Sequence, residues 1–156
     1  RVEMAYTGLL NFIGYRERCE YEVKQWLYKK KYHDLSDELI TRLKNQNYLN
    51  DERFAQLFIR DRVKIKGFGP IRLRHELNAK RISKQIIESE IEAIREEYDF
   101  NQLAFDLAER KLKHIEQPTY KDKKRLWSLL QRRGFEGSSI SSALHGYSFV
   151  SDDDPS

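Results

Sequence analysis

A single cysteine, Cys19, stands in the 156 residues, so the chain carries neither a disulfide framework nor a cysteine metal cluster. No run approaches the roughly 18 consecutive apolar residues of a membrane span, and no signal peptide is visible. The expectation is a soluble cytoplasmic protein with no membrane contact. The sequence opens on Arg1 rather than methionine, so its natural N-terminus is expected to be missing. Strand-type alternation is scarce. The histidines at 33, 75, 114 and 145 are scattered, with no H-E-x-x-H and no acid-rich loop, and no serine or cysteine has a base partner at motif spacing. Catalytic residues, metals and cofactors are therefore not expected, and the chain does not read as an enzyme.

What is present is charge and helical periodicity. The composition is 39% hydrophobic and 35% charged with a net charge of +4, against about 25% charged in ordinary globular chains. Residues 60 to 81 hold eight basic side chains against Asp61 and Glu76, whereas 86 to 99 hold six acids against Arg95. A second basic run at 121 to 133 contains Lys121, Lys123, Lys124, Arg125, Arg132 and Arg133 against Asp122, and Lys29 to Lys31 add a third.

Apolar residues recur at i, i+3 and i+4, as in Leu9, Phe12 and Ile13, and in Phe54, Leu57, Phe58 and Ile65. Nine helices are predicted: 3–17, 19–31, 36–46, 51–66, 70–80, 83–98, 101–115, 119–133 and 138–146. Ser36, Ser83, Asn101 and Asn50 or Asp51 are the expected N-caps. Shifting the second helix by fifty and then fifty-three residues aligns Val23, Leu73 and Leu126. It also aligns Leu27, Leu77 and Leu130, then Lys30, Lys80 and Arg133, and, past the helix end, Tyr32, Ile82 and Phe135. The pattern implies an all-α fold of three tandem three-helix repeats stacked into an elongated, curved solenoid, each unit alone burying too little to stand. The repeats are placed at 1–49, 50–99 and 100–147, with an acidic, disordered tail at 148–156.

GFGPIRLRHELNAKRI, residues 67 to 82, is the one stretch resembling a phosphate loop. No strand precedes it, and Pro70 removes one of the N–H groups that an anion would need. The structural reading gives Gly67 a left-handed cap, Gly69 a tight bend and Pro70 the first helical position. Asp61 falls on the stripe of Phe54, Leu57, Phe58 and Ile65, where it is expected to pair with Arg62, Arg72 or Arg74. Tyr6, Phe12, Trp26, Phe54, Phe58, Phe105 and Trp127 are read as packing residues rather than base-stacking platforms.

NYLNDERFAQLFIRDR (47–62) followed by KGFGPIRLRHELNAKRI (66–82) resembles the central signature of the bacterial regulatory protein RecX family. It joins Phe54, Phe58, Arg62, the G-x-G-P turn, Arg72, Arg74, Glu76, Leu77 and Lys80 in order. The resemblance implies a modulator of the RecA recombinase that lies on the RecA–DNA filament and depresses its ATPase, strand exchange and coprotease activities in recombination and the SOS response. It departs from the family pattern at Arg81 and Lys31, where glycine is common. A left-handed cap at Arg81 costs roughly 1–2 kcal/mol, so that helix is expected to end differently. The expected RecA- or DNA-binding surface comprises Arg60, Arg62, Lys64, Arg72, Arg74, Lys80, Arg81, Lys124, Arg125, Arg132 and Arg133. The alternatives are an ordinary solvated face, or a helix-turn-helix-like protein that binds DNA directly through a recognition helix; single-stranded or duplex DNA is a further expected partner of the basic surface. A monomer is expected.

Overall fold

The structure is a computed structural model that describes residues 1–153. Among these, the chain forms nine α-helices and no strand. They are α1 (Val2–Tyr15), α2 (Glu20–Lys29), α3 (Ser36–Asn45), α4 (Asp51–Asp61), α5 (Pro70–Ala79), α6 (Lys84–Ile94), α7 (Phe100–Leu112), α8 (Tyr120–Arg132) and α9 (Gly137–Leu144). Each overlaps one predicted segment.

Side-chain oxygens start several of them. Asn50 accepts the Arg53 N–H (3.0 Å) ahead of α4, and Ser83 accepts the Ile86 N–H (3.3 Å) ahead of α6. Thr119 and Asp122 form a reciprocal capping box on α8. Two expected caps are different. Asn101 lies inside α7, and Asp99 caps that helix by accepting the N–H groups of Asn101 (2.9 Å) and Gln102 (3.3 Å). Ser36 is the first residue of α3, because a 3₁₀ turn over His33–Leu35 leads directly into it.

The helix ends carry the clearest sign of repetition. Lys31, Arg81 and Gly134 all have left-handed backbone, with φ of 66°, 58° and 91°. At each, the following N–H reaches back to the aligned leucine carbonyl: Tyr32 to Leu27 (2.7 Å), Ile82 to Leu77 (3.1 Å) and Phe135 to Leu130 (3.1 Å). This is the Schellman closure, which satisfies carbonyls that the helix end leaves without partners. The expectation that the helix ending at Arg81 would avoid that conformation is overturned. Two closing hydrogen bonds and the burial of the next apolar residue offset the steric cost of the Cβ.

The aligned Val23, Leu73, Leu27, Leu77 and Leu130 are fully buried, and Leu126 nearly so. In α4, however, the buried stripe is Phe54, Ala55 and Ile59, continued by Val63, while Leu57 and Ile65 are exposed. Residues Arg62–Lys66 continue α4 as a π-helical turn, and Gly67 then closes it with φ 67°. Asp61 is half-exposed rather than buried, and it pairs with its neighbour Arg62 at 2.7 Å.

Two compact units emerge. The first comprises residues 1–58 and 76–90, and the second residues 59–75 and those from 91 onward. α4, α5 and α6 are thereby each divided between the units. In the first, Ala5, Tyr6 and Leu9 of α1 join Val23 and Leu27 of α2 and Leu39, Ile40 and Leu43 of α3 in one core. In the second, α7 packs against both α8 and α9. Its buried face is Phe100, Ala104, Leu107, Ala108 and Leu112, the i, i+4, i+7, i+8 spacing of a packed helix.

The segment expected to be a disordered tail carries structure as far as Asp153. The Tyr120 N–H donates to the Val150 carbonyl (3.1 Å) and the Val150 N–H to that of Pro118 (3.0 Å), an isolated parallel bridge at the start of α8. Residues 154–156, also assigned to that tail, lie outside the described residues.

Candidate binding surface

The glycine turn positions side chains and leaves no cradle for an anion. The Gly69 N–H donates to the Arg133 carbonyl (2.7 Å) and the Ile71 N–H to that of Gly134 (2.9 Å), while the Phe68 N–H donates to Arg62 (3.2 Å). The amides that would face a phosphate are thus satisfied within the protein. Gly69 serves close approach: a Cβ there would meet the Gly134 carbonyl oxygen at 2.6 Å.

This docking fixes two of the expected binding residues as struts. Arg72 places its guanidinium 3.9 Å from the Phe68 ring centroid and donates from Nη1 to the Arg132 carbonyl (3.0 Å). Arg133 donates from Nη1 to the Lys66 carbonyl (3.0 Å). Both are half-buried, as are Arg62 and Arg74.

Lys80 has a similar internal role. Its Nζ lies 3.2 Å from Oε2 of Glu22, a carboxylate only 6% exposed. Arg16 binds both oxygens of that carboxylate, and the Cys19 N–H donates to Oε1 at 3.1 Å. Burial by itself would raise the Glu22 carboxyl, but these donors and the positive charges of Lys80 and Arg16 outweigh it and lower it to about 2. The Cys19 thiol beside it is pushed up to about 12, chiefly by burial. Elsewhere, Arg60 pairs with Glu97 at 2.7 Å, and the Arg81 guanidinium lies 5.7 Å from the Tyr21 ring centroid.

A different condition holds on α8. Lys124, Arg125 and Arg132 are exposed, and among the described residues their side chains make no ion pair or hydrogen bond; the same is true of Lys64 on the π-helical turn. Lys124, Arg125 and Arg132 share an open groove of about 830 Å³ with Lys111 and Lys121. Leu112, Ile115, Leu126 and Leu129 form its apolar lining, and its one acid is Asp122, already held in the Thr119 cap. Lys111 is a member that charge-run reading missed, since it stands alone among the basic residues of α7 that face this way.

Comparison with known proteins decides the family. A family model for the second three-helix domain of RecX matches residues 50–89, and a model for the third matches residues 97–144. The chain belongs to the RecX family. The protein named Regulatory protein RecX of Bacillus velezensis is 33% identical over 98% of this chain, and that of Bacillus subtilis 32% identical over the same share. The chain spans 59% and 58% of those two proteins, respectively. Regulatory protein RecX of Haemophilus influenzae strain PittEE is 28% identical, with 90% of this chain and 93% of that protein covered. In fold, the chain matches the crystal structure of RecX from Lactobacillus salivarius with a TM-score of 0.78 at 21% identity, covering 92% of this chain and 94% of that one. The all-α, three-helix organisation is thus that of RecX, and no helix among the described residues is long and apolar enough to cross a membrane.

Proposed function

We propose that this chain is a non-enzymatic regulator that binds the RecA–DNA filament, as a monomer in the cytoplasm, and restrains the filament's ATPase, strand exchange and coprotease activities. The observation that carries the reading is the set of unpaired cations on α8, Lys124, Arg125 and Arg132, in a chain whose relatives are named regulatory proteins. Eleven cations were expected to contact the filament. Those that brace the protein internally, Lys80, Arg72 and Arg133, are the weaker candidates. Exposed charges that gain nothing from the fold are the ones a partner can use at little cost to stability. Inhibition is then steric, because a bound chain opposes the protomer rearrangement linked to ATP turnover or blocks the filament end.

The test is the double substitution Lys124→Glu with Arg125→Glu. Binding to RecA-coated single strands is compared with binding to bare single-stranded and duplex DNA at one stated salt concentration. The reading expects filament binding and ATPase inhibition to fall together while helicity is retained. Tighter, sequence-specific binding to naked duplex would favour the helix-turn-helix alternative.

A further inference from the structure

We infer that the groove between α7 and α8 receives an acidic polypeptide segment bearing an apolar anchor side chain, rather than a nucleic-acid backbone. The inference rests on the preceding reading only in taking α8 as a contacting helix.

The rim establishes the sign of the ligand. Lys111, Lys124, Arg125 and Arg132 have no side-chain partner among the described residues, so an incoming carboxylate displaces no existing ion pair. The protein's own chain already brings a carboxylate to one edge. Asp152 Oδ1 accepts the Lys121 N–H at 3.3 Å, at the first turn of α8, where the helix dipole also favours negative charge.

The floor establishes the class. A phosphate backbone would use the cations and leave the apolar floor idle, and bases would seek rings to stack on. No aromatic side chain lines this groove. It offers instead Ile115, 38% exposed three residues past the end of α7, and the half-buried Leu129, with Leu112 and Leu126 buried beneath. An apolar floor flanked by charge along two helices matches the recognition of an amphipathic segment, where anchors enter the groove and polar residues meet the rim.

The experiment titrates the full chain with three labelled probes, followed by fluorescence anisotropy. They are a synthetic peptide of glutamate and leucine, the same peptide with serine for leucine, and an oligothymidylate of equal charge. The expected result is that the leucine peptide binds about tenfold more tightly than the serine peptide. Ile115→Ser narrows that difference, and Lys124→Glu with Arg125→Glu abolishes binding of both peptides while leaving the thermal melt unchanged. Equal affinity for the two peptides, or oligothymidylate binding as tight as the leucine peptide, overturns the inference. If neither peptide binds but the RecA filament does, the groove assignment fails and the regulatory reading stands. If the leucine peptide binds with the stated preference and the filament does not, the inference stands and the regulatory reading fails.

Discussion

Gly134 lies directly against Arg72: a Cβ built on Gly134 would come within 2.3 Å of the Arg72 Cβ and 2.4 Å of its backbone nitrogen. Its φ of 91° already favours glycine, lying further into the left-handed region than the 66° of Lys31 and 58° of Arg81, which bear side chains. The neighbour adds a second and stronger demand. Gly134→Ala is therefore expected to lower stability by about 2–4 kcal/mol, because backbone as well as side chain must move. Gly14→Ala, with nothing within 4 Å of the added carbon, is expected to be neutral or to raise stability by up to about 1 kcal/mol. Urea unfolding followed by circular dichroism compares the two, and equal midpoints would refute the contact argument.

Lys31→Gly removes the Cβ penalty of a left-handed residue and should stabilise the protein by about 1 kcal/mol. Arg81→Gly should gain less, because it also removes the guanidinium that lies 5.7 Å from the Tyr21 ring centroid. Thermal melts give the ordering. A Lys31→Gly protein that melts below the parent would mean that the turn is not held as described.

The Glu22 carboxyl is depressed in the folded state from an ordinary 4.5 to about 2. Its contribution is therefore fully present above the unfolded value and is lost as pH falls towards about 2, amounting to roughly 3 kcal/mol at neutral pH. The stability difference between the parent and Glu22→Gln should shrink over that acidic window and be level above it. A difference that does not change with pH would remove the carboxylate from this role.

Charge reversal separates bracing cations from free ones. Lys80→Glu sets a second carboxylate beside buried Glu22 and should cost about 3–5 kcal/mol, so any binding defect it causes is a folding defect. Lys124→Glu should change stability by no more than about 0.5 kcal/mol. Denaturant titration of both variants reads the contrast directly, and matching losses would contradict it.

Cys19 is fully buried, with its thiol held near 12. It should resist Ellman's reagent at neutral pH in the native protein and react at once in denaturant. Rapid labelling of the folded chain would contradict that burial.

Much of this was legible in the sequence because it is local. Helix spans follow from apolar spacing, Gly67 and Pro70 punctuate the chain as their backbone chemistry requires, and the alignment of Leu27, Leu77 and Leu130 recurs as a shared closing hydrogen bond. The failures involve partners far apart in the chain. Glu22 and Lys80 are 58 residues apart, and nothing near Lys80 distinguishes a bracing lysine from a solvated one. Gly69 reads as a bend until Gly134 is brought against it. The stripe of α4 was misplaced because Leu57 and Ile65 share helical spacing with Phe54, while Ile59 and Val63 take the buried positions. At Arg81, local cost argued against a conformation that the closing hydrogen bonds and the burial of Ile82 sustain.

The division of α4, α5 and α6 between the two compact units has a practical side. Scissors applied at residue 49, where the first repeat ends on paper, would separate α1 to α3 from residues 51–58 and 76–90 of their own unit. Such a fragment would lose Lys80, a counter-charge of buried Glu22, together with the Asp51 carboxylate that accepts the Glu20 N–H at 2.8 Å. Gene dissection along repeat boundaries should therefore yield pieces that misbehave even though each contains three complete helices. The heritable period of the chain and the piece that melts as one are different lengths of polypeptide.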